Sequence, residues 1–197
     1  GLGYKNAGLV PFTIPLSWFN LGISTYLLAR GGLMAIRASW WRQVTAIAVG
    51  ALLLMSWDFV LDPAMSQTAM PFWYWHQPGA FFGMPYENFA GWFFTGAIFM
   101  TIAAVLWRQN ERVIGLTKQQ LQLPLIMYLT NFAFAMFMSL GAGIYVPILL
   151  GLVVGAIPAI VCWLLAPDDK PVADLTAEPQ PDLPVLEMTA TPAGIAK

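Results

Sequence analysis

Charge is scarce in this sequence. Only 10% of its 197 residues are Asp, Glu, Lys or Arg, against about 25% in an ordinary soluble domain. With 58% hydrophobic residues, that shortage excludes the soluble class and points to the bilayer. Cysteine is reduced to Cys162, so an internal disulfide is excluded; inside an apolar stretch the thiol reads as a small hydrophobe. Histidine is reduced to His76. A net charge of −1 with no basic stripe leaves nothing for a nucleic acid to bind. There is no nucleotide-binding glycine loop, no Ser/His/Asp order and no CxxC pair, so cofactor-dependent chemistry has no support and no cofactor is expected. No signal-peptide pattern is visible, and the chain opens on Gly1 rather than Met, as in a processed chain or one that begins partway through a longer protein.

What is present is apolar length. A spanning helix needs about 20 mostly apolar residues, and five stretches qualify: 9–29, 41–60, 88–107, 123–140 and 144–166. Pro11 and Pro15 fall near the start of the first, where a missing N–H does little harm. Pro147 and Pro158 fall in the last, where neighbouring helices can re-satisfy the backbone. The expected fold is all-α: a polytopic membrane protein of about five transmembrane helices over residues 1–166. Residues 167–197 are rich in Pro, Ala, Thr and acids without an apolar face, and read as a disordered tail.

The connections differ in charge. Arg30, Arg37 and Arg42 mark the first, and Arg108, Arg112 and Lys118 the third. The second, residues 61–87, has no Lys or Arg, and the fourth is an uncharged Gly141-Ala142-Gly143 turn. Positive charge in alternate loops places the first and third connections and the tail in the cytoplasm, with the second loop on the outer face of a prokaryotic cell membrane.

Only four acids precede the tail: Asp58, Asp62, Glu87 and Glu111. Asp58 lies inside the end of an apolar helix, where a carboxylate is costly and faces a cavity or a partner. Asp62 is four residues on, hence on the same helix face; Pro63 disfavours helix at Asp62 and places it at the helix exit. Two carboxylates this close do not ionise alike, so one can hold a proton near neutral pH and act as an acid. The plainer reading puts both in the headgroup region, solvated. The loop that follows runs Met70-Pro71-Phe72-Trp73-Tyr74-Trp75-His76 and on through Phe81-Phe82-Gly83-Met84-Pro85 to Asn88. If Phe72–Trp75 is extended, Trp73 and Trp75 share a side. Such rings form interfacial belts, yet they also stabilise cations. A carboxylic acid among indoles can protonate an alkene and shelter the carbocation.

Other residues stay open between roles. A metal site at His76 lacks convincing ligand spacing, so none is expected; the residue reads as a solvated loop histidine or an axial ligand to a pigment. Asn88 either caps the third helix or serves the pocket. Asn20 and Asn131 lie inside predicted spans, where amides join helices or line a polar pocket. Gly151 and Gly155 form a small-xxx-small pattern for close helix packing, a weak signal by itself.

Together these residues resemble a known family, the carotenoid biosynthesis membrane proteins, which include bacterial carotenoid 1′,2′-hydratases and an archaeal bisanhydrobacterioruberin hydratase. Asp58-Phe59-Val60-Leu61-Asp62-Pro63 is similar to the family's D-x-x-x-D-P segment. Gly79-Ala80-Phe81-Phe82-Gly83-Met84-Pro85-Tyr86-Glu87-Asn88-Phe89-Ala90-Gly91-Trp92 is similar to its G-x-[YF]-[YF]-G-[VI]-P-x-x-N-[FY]-x-G-W stretch. Pro11-Phe12-Thr13-Ile14-Pro15-Leu16-Ser17-Trp18 resembles its V-P-x-x-I-P-L-x-W helix start. The resemblance covers about residues 1–166; further N-terminal helices usual in the family have no counterpart here, and the tail is not accounted for by it. It implies cofactor-free addition of water to a terminal isoprenoid double bond of a linear or monocyclic carotene. Asp58 is then the candidate acid, Asp62 its tuner or water-orienting partner and Asn88 the holder of the water. Trp73, Tyr74, Trp75, Phe81, Phe82, Trp92, Asn20 and Asn131 are candidates for binding the carotenoid. The alternative is a non-catalytic carotenoid- or pigment-associated subunit of a photosynthetic reaction-centre or light-harvesting complex. A small transporter is a weaker third reading, since paired broken helices and a charged midplane site are missing.

Overall fold

The computed structural model describes residues 5–6, 10–34, 39–68, 71–107 and 116–168. Among them, the five apolar stretches become five long helices: α1 (Thr13–Met34), α2 (Trp40–Gln67), α3 (Tyr86–Trp107), α4 (Lys118–Gly141) and α5 (Val146–Leu165). Two-residue strands, β1 (Lys5–Asn6) and β2 (Val10–Pro11), pair antiparallel ahead of α1 and leave the all-α class unchanged. Helices α2 to α5 are each long and apolar enough to cross a membrane. The first expected span has the length, but with Ser17, Asn20, Ser24, Thr25 and Arg30 in it α1 is not among the helices apolar enough to cross on composition alone.

Local chemistry sets the helix starts. Ser39 caps α2, its hydroxyl taking the Arg42 N–H at 3.3 Å. Thr117 and Gln120 form a reciprocal capping box at α4. Pro147 sits in the first turn of α5, where its missing N–H costs nothing. Within α5, residues Leu152–Ala156 form a π-helical turn just after Gly151.

One boundary differs from expectation. Helix α2 does not leave at Asp62: it continues through Pro63 to Gln67. The proline removes one backbone donor, and neighbours supply others nearby. The Ser139 hydroxyl on α4 donates to the Val60 carbonyl at 2.6 Å, and the Ser66 hydroxyl donates to the Asp62 carbonyl at 3.0 Å. A proline inside a membrane helix is stable under such cover.

Helix α2 is the centre of the bundle, and every residue from Ser56 to Met65 is buried. Side-chain bonds fasten α2, from Leu53 to Val60, to α4, from Tyr128 to Ser139. Tyr128 donates to the Leu53 carbonyl and lies 3.0 Å from the Ser56 hydroxyl; Trp57 Nε1 donates to the Asn131 carbonyl at 3.1 Å. The order of these contacts makes α2 and α4 run parallel, with α1, α3 and α5 antiparallel to them. Glycines admit α5: a Cβ on Gly151 would strike Val60, and one on Gly155 would strike Ser56 and Tyr128. Removing the Tyr128 hydroxyl in Tyr128→Phe should cost about 1 kcal/mol, read as a lower unfolding midpoint in detergent.

Arg30 belongs to α1 rather than to the first connection. It is buried, with Nη1 donating to the Tyr26 hydroxyl at 3.0 Å and to Gln43 Oε1 at 3.2 Å. Arg42 likewise lies in α2. Arg37, Arg108, Glu111 and Arg112 lie outside the described residues. So does the tail beyond Asp168; its first two residues are ordered, Pro167 accepting the Lys118 N–H at 2.8 Å and Asp168 pairing with the Lys118 ammonium at 2.9 Å.

Candidate active site

The carboxylates lie toward one end of α2. Asp58 is nine residues from Gln67, about 14 Å along the helix axis at 1.5 Å per residue, and has no exposed surface; Asp62, one turn nearer that end, is buried as well. The solvated-headgroup reading therefore fails for both. The i, i+4 spacing puts the two side chains on one face, and that face meets the start of α3.

There, Asn88 joins them. Its Nδ2 donates to Asp58 Oδ2 at 2.8 Å and to Asp62 Oδ2 at 2.9 Å. An amide nitrogen has two hydrogens, so both are committed, one to each carboxyl. Asn88 is not a cap, because α3 already begins at Tyr86; it stands in the first turn, facing inward. The Met84 sulfur touches the same nitrogen at 3.0 Å. Asp58 Oδ1 remains buried without a hydrogen-bond partner. Glu87 is exposed and takes no part among the described contacts.

The loop reaches this position by a tight reversal. Phe82 and Gly83 have φ of 49° and 85° between the bridged residues Phe81 and Met84, the signature of a type I′ hairpin turn. Glycine is at ease there; phenylalanine is strained by about 1–2 kcal/mol. Gln67, the last residue of α2, holds the turn by donating to the Phe82 carbonyl at 3.0 Å. Gly79 is bridged to Gly83, and a Cβ on it would strike the backbone of Met84 and Pro85. The result is that Met84 is fully buried and Phe81 packs on Phe89 and Phe59, with ring centroids 5.1 and 6.2 Å apart.

The aromatic candidates separate into groups. Trp92, one turn beyond Asn88, stands edge-on to Trp57 at 5.7 Å and is stacked on Trp18 at 3.9 Å. Trp73 and Trp75 are half-buried while Tyr74 between them is 77% exposed, the alternation expected of an extended segment. Trp75 Nε1 is buried without a hydrogen-bond partner. Tyr74 and Phe82 lie on the outer surface of the loop, and His76 is exposed. The asparagines within the spans stand apart from the pair. Asn131 spends its amide on the Met127 carbonyl of its own helix and offers its backbone carbonyl to Trp57. Asn20 is half-buried on α1, its carbonyl accepting the Ser24 hydroxyl. No cluster of His, Cys, Asp or Glu among the described residues has the make-up of a metal site.

Sequence reasoning passed over Met84, Gln67, Trp18 and Phe59. Only Gly83 signalled the turn that makes the first two matter. The site is thus a buried acid pair bridged by one amide, set between helices where Trp57 packs on Trp92 and Phe59 on Phe81 and Phe89. That equipment can give up a proton and shield a cation.

The comparisons agree in direction. The chain is 34% identical over 97 residues to the bisanhydrobacterioruberin hydratase of Haloarcula japonica; the match covers 49% of this chain and 31% of the relative. The aligned part is thus about a third of that relative's length. No solved structure matches the chain. The profile of the family described as carotenoid biosynthesis protein matches residues 1–158, and the chain belongs to that family.

Proposed function

We propose that this chain carries the site of a carotenoid hydratase, which adds water to a terminal isoprenoid C=C bond of a linear or monocyclic carotene. One observation carries the reading: Asn88 fixes one oxygen of each carboxyl and leaves Asp58 Oδ1 uncommitted. In this reading the acid proton sits on that oxygen. The alkene π pair takes the proton at its less substituted carbon, leaving a tertiary cation. The rings of Trp57, Trp92, Phe81 and Phe89 face it, since π faces attract cations. A water lone pair forms the C–O bond, Asp62 accepts the proton that water sheds, and proton return across the pair restores Asp58. The sum is one water added to one double bond, with nothing oxidised or reduced. The relative's printed name, a hydratase, points the same way. In this reading the acid pair and aromatic loop sit toward the outer face of a prokaryotic membrane, as the alternation of basic connections predicts.

Expressing the full-length gene in cells that make lycopene tests the reading. A 1-hydroxylated carotene is expected; protein in the membrane without that product would reject it. Asn88→Ala leaves two carboxyls unbridged, and should lower hydration by about 10²-fold while the protein still reaches the membrane. Undiminished product from that variant would remove Asn88 from the site.

A further inference from the structure

Asp58 is fully buried, so a substrate end reaches it only if a wall parts. The helix seams differ in what holds them. Helices α2 and α4 share the bonds of Tyr128, Trp57 and Ser139. Helices α1 and α2 share the Arg30, Gln43 and Tyr26 cluster, and α2 and α3 share Asn88. Among the described residues, α1 and α3 meet through rings instead. Trp18 stacks on Trp92 at 3.9 Å with 19° between planes; Phe19 meets Phe99 edge-on at 6.2 Å; Gly22 lies against the Phe99 ring. At the Trp18–Phe19 end this seam has no hydrogen bond among the described residues to break, whereas opening the α1–α2, α2–α3 or α2–α4 seam breaks one inside the bilayer. The α1–α4, α1–α5 and α2–α5 seams show none either, but among the described residues no aromatic pair spans them.

We infer that the α1–α3 seam is the lateral port through which an unsaturated isoprenoid chain passes from the bilayer to the acid pair, with Trp18 and Trp92 as its leaves. The seam leads inward along α3: Trp92 stands edge-on to Trp57 and lies one turn from Asn88, the residue that bonds both carboxyls. Phe19 is 54% exposed beside Trp18, so the outer side of the port is apolar and faces lipid. A flat polyene slid between the two indoles exchanges one stacked contact for two, an exchange that a saturated acyl chain does not match. Trp18 is therefore a positioning residue that selects for conjugated chains and does not touch the reacting carbon.

This inference rests on the hydratase reading, and its first test is independent of turnover. A benzophenone amino acid is placed at position 18, or at Phe137, a 68% exposed lipid-facing residue of α4. Membranes of lycopene-making cells carrying either form are irradiated, and the protein mass is measured. A lycopene adduct at position 18 in several-fold excess over position 137 is expected. Equal or lower labelling at 18 would overturn the port, even where hydration itself occurs. Loss of hydration in the unmodified protein with the adduct retained would reject the hydratase reading alone. A second measurement uses Trp18→Ala and Trp18→Phe. Hydration should fall about ten-fold in the first, the size of one stacked pair, and largely recover in the second, which keeps a ring. Equal activity in both, or an equal loss in both, would count against Trp18 as a leaf. If Trp18→Ala fails to reach the membrane, Trp18→Phe and the adduct ratio decide.

Discussion

Asp58→Asn should reduce hydration of lycopene by about 10²- to 10⁴-fold, the range lost when a general acid is removed. The substitution is nearly isosteric, and the amide oxygen can still accept the Asn88 hydrogen that Asp58 Oδ2 now takes. Folding should therefore survive, and the unfolding midpoint in detergent should stay close to that of the parent. What is lost is the acidic proton: an amide at this place cannot protonate an alkene. Asp62→Asn is the comparison. It removes the acceptor for the water's proton but leaves the acid, so its loss should be the smaller of the two. Retention of full activity by Asp58→Asn, with equal protein in the membrane, would assign the acid elsewhere. A reversed order of the two losses would exchange their roles.

The second large effect concerns stability. Gly155→Val should lower it by about 3 kcal/mol, in the upper range for overpacking a close-packed interior. A Cβ at Gly155 already collides with Ser56 Oγ and the Tyr128 hydroxyl, and it is Tyr128, bonded to the Leu53 carbonyl and 3.0 Å from Ser56 Oγ, that ties α4 to α2. Larger side chains force α5 off the bundle or break that tie. Gly91 supplies the control, because a Cβ there meets nothing within 4 Å. Gly91→Ala should be neutral or slightly stabilising, as glycine is a poor helix residue. Unfolding by sodium dodecyl sulfate in mixed micelles measures both. If Gly155→Val unfolds no earlier than Gly91→Ala, α5 does not pack as described.

The helices were legible because a bilayer demands about 20 apolar residues in a row, a signal that needs no partner to be read. The ends of α2 were not. Pro63 is a local sign of a helix exit, yet α2 runs on to Gln67 through a buried segment whose Val60 carbonyl takes the Ser139 hydroxyl of α4. A tertiary hydrogen bond leaves no local trace. The glycine pair 151 and 155 was visible as a pattern, but what each faces was not. At the site, the i, i+4 spacing of Asp58 and Asp62 follows from helix geometry alone. The role of Asn88 as a bridge does not, because it requires α3 to fold back on α2 through a turn with a strained Phe82. Asn20 and Asn131 looked equally promising in sequence, yet Asn131 is consumed by its own helix and Asn20 has no contact with the pair among the described residues.

The clasp at Lys118 has a practical bearing. Its backbone N–H and ammonium hold Pro167 and Asp168, while its carbonyl takes the Trp163 indole at 3.0 Å. The exit of α5 is thereby pinned to the entrance of α4. A fluorescent or enzymatic reporter placed directly after Asp168 would sample the compartment that meets the start of α4, opposite the acid-pair end. A single fusion would then fix the orientation of the entire bundle in the membrane, and with it the compartment from which the proposed reaction draws its water.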